Sequence, residues 1–153
     1  MATRTIHRFN VRVYGILLSS ESNQVLLIEE EEKGLWMRKF PGGGLEFGEG
    51  TTDCLKREWL EETGTEIEIV SHFYTTDFFQ PSFFNPADQL ISIYYLVKML
   101  PGQPKPTNLQ SGEIVHRLYF QDLQTLMPEE LSFPVDQVVA RKLKEQFLPE
   151  TSL

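Results

Sequence analysis

The segment 43–64 limits the fold of this chain more than any other, because five glutamates occur in it among closely spaced glycines. Threonine and aspartate caps follow Gly50, and the residues after them have good helical propensity, so we predict a helix to the end of the segment. Residues three and four apart share one face of a helix, which places Glu58, Glu61 and Glu62 on the same side. Like charges at this spacing destabilise an isolated helix by roughly 0.2–0.5 kcal/mol per pair, so the pattern predicts a compensating cation.

A hard metal ion suits this carboxylate cluster. Mg²⁺ and Mn²⁺ prefer oxygen ligands, and Mg²⁺ keeps several waters while binding one or two carboxylates and substrate phosphates. The preceding segment Phe40–Gly44 contains a proline and three glycines, so we predict a loop that lets the backbone approach closely. The alternative interpretation is a solvated helix face, which is the ordinary meaning of short charge clusters.

The composition restricts the function classes. A chain of 153 residues predicts one domain over 1–153, and its net charge of −8 opposes binding to duplex nucleic acid. A small phosphorylated ligand that arrives with a divalent metal remains compatible with this charge. Cys54 is the only cysteine, which excludes an intramolecular disulfide and favours the cytoplasm. No apolar run approaches the ~20 residues of a membrane helix, and the N-terminal residues lack the apolar core of a signal peptide, so we expect no membrane partner.

The hydrophobic pattern predicts strands around the glutamate helix and one further helix. We expect the first two strands to pair antiparallel because their connection is short. We interpret the acidic run Glu29–Glu32 as a solvated loop, and an outer role in metal or substrate binding is the alternative. An α/β fold follows, with a mixed sheet of parallel and antiparallel strands covered by helices on both faces. The predicted strands lie at 9–18, 24–28, 66–74, 90–97 and 114–120, and the last helix at 135–147.

The predicted loop Thr75–Asp88 contains four phenylalanines, Phe78, Phe79, Phe83 and Phe84. Such residues in a loop are expected to be buried somewhere, so core packing is the leading interpretation. Two alternatives remain open, namely stacking on a base or sugar and covering the interface of a homodimer.

The spacing of the charged residues resembles the signature of the Nudix hydrolase superfamily. A glycine is followed after five residues by a glutamate, after seven more by Arg-Glu, and then by Glu-Glu-x-Gly. Two packing positions of the Nudix box, Gly43 to Thr65, depart from the family pattern, which prefers aliphatic residues where this chain has Trp59 and Thr65. The resemblance implies an α/β/α sandwich. The matching residues are Gly43, Glu49, Arg57, Glu58, Glu61, Glu62 and Gly64.

The resemblance implies a Mg²⁺- or Mn²⁺-dependent enzyme in which water attacks phosphorus of a nucleoside diphosphate linked to another group. It implies Glu58 and Glu62 as the main metal ligands, with Glu61 beside them and the Gly43 carbonyl as a further oxygen. Glu49 is expected to support the site or to serve as an occasional ligand. Arg57 is expected to orient the carboxylates.

The general base stays open between a glutamate of the helix, Glu58 or Glu61, and a later one, for which Glu113 is the candidate. Arg38 and Lys39, just before the glycine loop, are candidates for contacts with substrate phosphates. The ordinary alternative for both is a pair of strand-edge cations.

Two other functions compete with hydrolysis. The first is a catalytically silent domain that binds or senses a nucleotide ligand on the same fold. The second is an isoprenoid diphosphate isomerase, which is disfavoured because Cys54 within the helix does not match the extra catalytic cysteine of such enzymes. The sequence does not identify the group linked to the diphosphate, and a homodimer is compatible with it.

Overall fold

The computed structural model describes residues 5–19, 23–32, 34–106, 110–111 and 114–149, so the candidate base Glu113 lies outside the described residues. None of the helices in this part of the chain is long and apolar enough to cross a membrane. In chain order the elements are β1 (Arg8–Leu17), β2 (Gln24–Glu32), β3 (Leu35–Lys39), β4 (Gly42–Gly44), α1 (Thr51–Thr63), β5 (Ile67–Thr75), β6 (Asp88–Met99), β7 (Gln110–Ser111), β8 (Ile114–Asp122), a 3-10 helix (Pro128–Glu130) and α2 (Pro134–Phe147).

The strands form two sheets. The first has the order β4-β1-β6-β5 and is mixed, since β1 and β6 are parallel while β4 and β5 pair antiparallel with their neighbours. The second has the order β3-β2-β8-β7 and is antiparallel throughout. This arrangement confirms the predicted α/β class with parallel and antiparallel pairing.

Strand β1 lies between two hydrophobic layers because its residues alternate in direction. Val13 and Leu17 pack with Leu55 and Trp59 of α1 in one cluster. Tyr14 and Ile16 pack in the other cluster, to which α2 also contributes buried residues. The two helices therefore cover different layers, as the predicted sandwich requires.

The predicted pairing of the first two strands is wrong. Apart from one antiparallel bridge between Leu18 and Val25, β2 pairs with β3 and β8 in the second sheet. The acidic run is not a solvated loop either, because β2 extends through it and buries Glu29 and Glu30. Arginines on β3 and β8 compensate Glu29, as Arg38 donates to it at 2.9 Å and Arg117 forms a second ion pair.

The loop between β5 and β6 does not bury its phenylalanines in the core. All four are exposed, from 39% for Phe78 to 68% for Phe83. The ring of Phe84 lies edge-on to Phe83 at 5.3 Å and 6.4 Å from Phe133, which precedes α2. The prediction of core packing is therefore wrong, and an aromatic group stands at the surface instead.

Candidate active site

Helix α1 carries the predicted carboxylates, and its start is fixed by the chain around Gly50. The Gly50 backbone N–H donates to the Asp53 carboxylate at 3.2 Å, and the Cys54 N–H donates to the Gly50 carbonyl at 3.0 Å. The helix ends at Gly64, whose φ of 70° lies in the left-handed region that favours glycine. Both ends are therefore set locally, which is why the sequence pattern predicts this helix correctly.

Arg57 is the centre of the charged network. Its Nε and one terminal nitrogen donate to the two oxygens of Glu49 at 3.0 and 2.6 Å. The other terminal nitrogen donates to Glu58 at 3.0 Å, and the guanidinium also reaches the Gly44 carbonyl at 3.1 Å. The hydrogen bonds from Arg57 lower the pKa of Glu49 to about 2. Arg57 thus joins loop and helix and keeps Glu49 ionised.

Glu58 lies directly against the glycine loop. A Cβ atom placed on Gly43 would overlap the Glu58 carboxyl group, so only glycine fits there with Glu58 in this position. The side chain of Glu58 is largely buried. The loop therefore forms a cradle for one carboxylate, while the carbonyl of Gly43 faces the Sγ atom of Cys54 at 3.9 Å.

Glu62, one turn further along α1, points to the start of the same loop. The Gly42 backbone N–H donates to its carboxylate at 3.0 Å. Burial raises the pKa of Glu62 to about 8, while the charge of Lys39 acts in the opposite direction and the charges of Glu30 and Glu58 add to the increase. The burial of Glu62 thus favours its protonated form, and a cation near its carboxylate acts against this preference, as Lys39 does.

Glu61 occupies a different position from the other two. Its side chain is 58% exposed and lies 3.5 Å from the Arg57 terminal nitrogen that also donates to Glu58. The structure therefore brings Glu58 and Glu62 to the loop, while Glu61 lies at the surface beside Arg57.

The donor set fits a hard cation that is completed by water and substrate. No three His, Cys, Asp or Glu side chains in the described ranges are arranged as a ready cage for a metal ion. Two carboxylates, Glu58 and Glu62, nevertheless meet a loop whose backbone is free of side chains at Gly43. Mg²⁺ typically uses one or two carboxylates and takes its remaining ligands from water and phosphate oxygens.

The structure contains a cleft of about 800 Å³, and Glu58, Glu61 and Glu62 are not among its lining residues. Lys39 and Arg12 do line it, and both interact electrostatically with Glu62, so the cleft lies next to the carboxylates. Alternate residues of β1 and β6 line one part of it, and the aromatic loop before β6 lines another. Phe83, Phe84 and Phe133 supply aromatic surface, which suits a planar or apolar group of a ligand. The cleft is large enough for a nucleotide-sized molecule.

The two candidate phosphate contacts on β3 point in different directions because neighbours on a strand alternate. Lys39 lines the cleft and forms an ion pair with Glu30 at 3.1 Å. Arg38 is absent from the cleft lining. It pairs with Glu29 and with Glu130 at 3.2 Å, and its guanidinium lies 5.8 Å from the Tyr119 ring centre.

Several cleft residues lie outside the glutamate segment. Glu30 belongs to the acidic run, for which a role near the metal or substrate is the alternative interpretation, whereas Arg12 and Tyr14 were missed from the sequence. Glu30 accepts from Lys39 and also lies 3.0 Å from the Nδ1 atom of His116. Arg12 and Tyr14 face the cleft from β1. The alternation of polar with apolar residues in Arg8-Phe-Asn-Val-Arg-Val-Tyr14 is the signal that could have identified this strand face.

Asp136 is a second buried acid of the cleft. Tyr94 donates its hydroxyl to one carboxylate oxygen at 2.5 Å, while the other oxygen has no hydrogen-bond partner within the described part of the chain. Burial raises the pKa of Asp136 to about 6. No feature of the sequence near 136 indicates this role.

Cys54 is fully buried under the loop, with its Sγ 3.5 Å from the Gly44 carbonyl. Burial, followed by the charge of Glu49, raises the pKa of the thiol to about 12. A thiol in this state is a poor nucleophile, so Cys54 acts in packing.

Comparisons with known proteins agree with this geometry. A family model described as the NUDIX domain matches residues 9–147. The mouse protein "Nucleoside diphosphate-linked moiety X motif 6" is 31% identical over 87% of this chain, which spans 41% of that protein. The "RNA pyrophosphohydrolase" of Ruthia magnifica subsp. Calyptogena magnifica is 38% identical over 42% of this chain, which spans 34% of it. A solved NUDIX hydrolase from Nitrosomonas europaea has a similar fold, with a TM-score of 0.70, 18% identity, and 90% of this chain and 88% of that chain covered.

Proposed function

Because the chain belongs to the Nudix family of hydrolases, we propose that it cleaves the diphosphate linkage of a nucleoside diphosphate joined to another group. The contact of Glu58 with Gly43, held by Arg57, is the observation that carries this proposal. It brings a carboxylate and a backbone without a side chain to one point, and the charge of Glu58 acts on Arg12, which lines the nucleotide-sized cleft. A metal-bound diphosphate requires a carboxylate ligand for the metal and space for the phosphate groups beside it.

We assign Glu58, Glu62 and the Gly43 carbonyl as the groups that would hold Mg²⁺ or Mn²⁺. The bound ion would supply neutralisation of the diphosphate and acidification of a water molecule. Arg57 orients Glu58 and, through its fork, holds Glu49 beside it as a supporting or occasional ligand.

The remaining acids are assigned to proton transfer. Glu61 has a largely exposed carboxylate that meets only the Arg57 guanidinium, at 3.5 Å, among the described residues, and it is proposed to accept a proton from water. Glu113 stays the second candidate for this role. Lys39 is proposed to face the substrate phosphates from the cleft side, whereas the pairing of Arg38 with Glu29 and Glu130 assigns Arg38 to the second sheet.

The nucleoside is proposed to lie against the aromatic part of the cleft. Phe84 and Phe133 have ring centres 6.4 Å apart, and both line the cavity. Such rings offer stacking surface to a base or sugar without selecting one base by hydrogen bonds. The group on the other side of the diphosphate is proposed to contact loop residues.

The test is a screen of nucleoside triphosphates, nucleotide sugars, dinucleoside polyphosphates and dinucleotide cofactors with Mg²⁺ or Mn²⁺. Replacing Glu62 by Gln should reduce the rate by at least about 100-fold, because the substitution removes a ligand charge. Glu68→Gln is the matched control, since Glu68 lies on β5 and pairs with Lys98 at the surface. Equal rates for Glu62→Gln and the wild type would refute the proposal.

A catalytically silent binding domain is the second candidate function. The observation that favours it is the pairing of site carboxylates with Arg57 and Lys39 in place of a three-acid cage among the described residues. Tight binding of a nucleotide sugar without turnover by either metal ion would establish it.

We also propose a cytoplasmic location, which the buried, unpaired Cys54 supports. A homodimer that covers the exposed phenylalanines of the β5–β6 loop is a further proposal, and sedimentation velocity tests it.

A further inference from the structure

One face of β1 forms a row of cleft residues that the assignment above does not use. Arg8, Asn10, Arg12 and Tyr14 all line the cavity, because residues two apart on a strand point the same way. At about 3.3 Å per residue, Arg12 lies roughly 13 Å along the strand from Arg8 and close to the carboxylate end. The partner of Arg12 in the antiparallel pairing of β1 with β4 is Gly44. Arg12 therefore lies where the cleft meets the glycine loop.

Arg12 differs from the other cleft cations in its partners. Arg8 is paired with Asp88 at 2.6 Å, and Lys39 is paired with Glu30 at 3.1 Å. Within the described residues, Arg12 has no carboxylate within 4.0 Å. Its Nε donates to the Tyr14 hydroxyl at 2.7 Å, which leaves both terminal nitrogens available to a ligand.

The Arg12 guanidinium lies near both the glycine strand β4 and the carboxylates of α1. One terminal nitrogen lies 3.6 Å from where a Cβ on Gly44 would be, which places it beside the glycine loop. The charges of Glu58 and Glu62 act on the same guanidinium. Burying a charge without an oppositely charged group in direct contact is energetically unfavourable. An anion that enters the cleft would supply that opposite charge to Arg12.

Tyr14 holds the guanidinium in place and is itself held. Its ring stacks on Tyr94 at 5.1 Å between centroids, and the Tyr94 hydroxyl is bound by Asp136. The Arg12 side chain also lies 5.8 Å from the centre of the Tyr14 ring. Tyr14 is therefore held by its neighbours, and it fixes the Arg12 guanidinium while the two terminal nitrogens stay open to a ligand.

We propose that Arg12 binds the substrate's phosphate oxygens, with Tyr14 as its positioning residue. This inference rests on the proposed hydrolysis of a diphosphate. The two terminal nitrogens of the fork match two non-bridging oxygens, and a guanidinium remains protonated throughout. Arg12 forms and breaks no covalent bond. Its charge offsets part of the phosphate charge that approaches Glu58 and Glu62.

The test measures binding of methylenediphosphonate, which has a P–C–P link that water cannot cleave, to the purified chain with Mg²⁺ by calorimetry. Arg12→Gln should weaken binding at least about tenfold, because a charge-assisted double hydrogen bond is lost. Arg12→Lys should recover only part of the affinity, since an ammonium lacks the fork. Tyr14→Phe should fall between the wild type and Arg12→Gln.

Arg141→Gln is the matched control, because Arg141 is exposed on α2 and the change in net charge is the same. Its affinity for methylenediphosphonate should stay within twofold of the wild type. Equal weakening by Arg141→Gln and Arg12→Gln would overturn the proposal, as would full affinity in Arg12→Gln. If Arg12→Gln does not fold, as judged by circular dichroism, full affinity in Arg12→Lys would overturn the bidentate contact.

Activity separates this inference from the proposed function. If the wild type binds methylenediphosphonate through Arg12 but hydrolyses no substrate in the screen, the hydrolase proposal fails and the phosphate contact stands. If the wild type hydrolyses a substrate and Arg12→Gln keeps its kcat/KM, the contact fails alone.

Discussion

The indole N–H of Trp59 donates to the hydroxyl of Thr65 at 3.0 Å, and both side chains are buried. These are the two packing positions at which the chain departs from the aliphatic pattern of its family, so one departure complements the other. Gly15 provides the space, since a Cβ there would lie 2.7 Å from the Trp59 ring. Thr63 completes the group with its hydroxyl 2.7 Å from that of Thr65.

Replacing Thr65 by Val should lower the free energy of unfolding by about 1–3 kcal/mol, because the buried indole N–H loses its acceptor. Urea denaturation followed by tryptophan fluorescence measures the change. Thr65→Ser keeps the hydroxyl and should cost less than Thr65→Val. A smaller loss for Thr65→Val than for Thr65→Ser would contradict the importance of this hydrogen bond.

Gly43→Ala should reduce kcat/KM by about 100-fold, because the added methyl group must displace the Glu58 carboxylate that it would overlap. Gly44→Ala is the matched control. A Cβ at Gly44 would make only an ordinary contact, 3.6 Å from Arg12, so its effect should be much smaller. Steady-state kinetics on the best substrate of the screen measure the effect, and unfolding curves show whether both variants are folded. Equal kcat/KM values for Gly43→Ala and Gly44→Ala would contradict the role of the contact between Gly43 and Glu58.

The stability of the protein should depend on pH through Asp136. Burial raises its pKa in the folded chain to about 6, above the ordinary 3.8. The unfolded chain therefore loses this proton at lower pH, so the contribution of Asp136 is fully present below pH 3.8 and is lost as the pH rises through 6. A shift of about two pKa units corresponds to roughly 3 kcal/mol.

Asp136→Asn removes this dependence. From pH 4 to pH 7, the unfolding free energy of the wild type should therefore fall relative to that of the variant. Urea denaturation at both pH values measures it. The comparison cancels the opposite contribution of Glu49, whose pKa is lowered to about 2 in both proteins. A difference that is constant with pH would contradict the assignment.

The helix that ends at Gly64 could be predicted from the sequence because its determinants are local, whereas the predicted loop Phe40–Gly44 is wrong in part, since Gly42–Gly44 forms β4 and pairs with β1. Glycines, caps and the three- and four-residue spacing act within a few residues of one another. The same reasoning predicted which carboxylates share one helix face but not their surroundings. Glu58 lies against Gly43 and Glu62 accepts from the Gly42 N–H, whereas Glu61, at the same helical spacing, is 58% exposed and pairs with Arg57.

The errors arose where the partners are distant in sequence. Glu29 and Glu30 look like a solvated run, but Arg38, Arg117 and His116 meet them from two other strands. A strand can bury charges when neighbouring strands supply opposite charges, and no local pattern reports that.

The phenylalanine loop shows the same limit. Hydrophobicity predicts burial, whereas the loop supplies the exposed aromatic wall of a cleft. Which side of a loop faces a cavity depends on the packing of β6 and α2, and local composition does not determine it.

The most direct test of the central claim is hydrolysis in ¹⁸O-labelled water with Mg²⁺, followed by mass spectrometry of the products. We predict that the substrate turned over fastest in the screen gives one ¹⁸O atom in a phosphoryl product, and that Glu58→Gln lowers the rate at least about 100-fold. Label found only in a non-phosphoryl product, or an unchanged rate in Glu58→Gln, would contradict attack of water on a diphosphate held at this site.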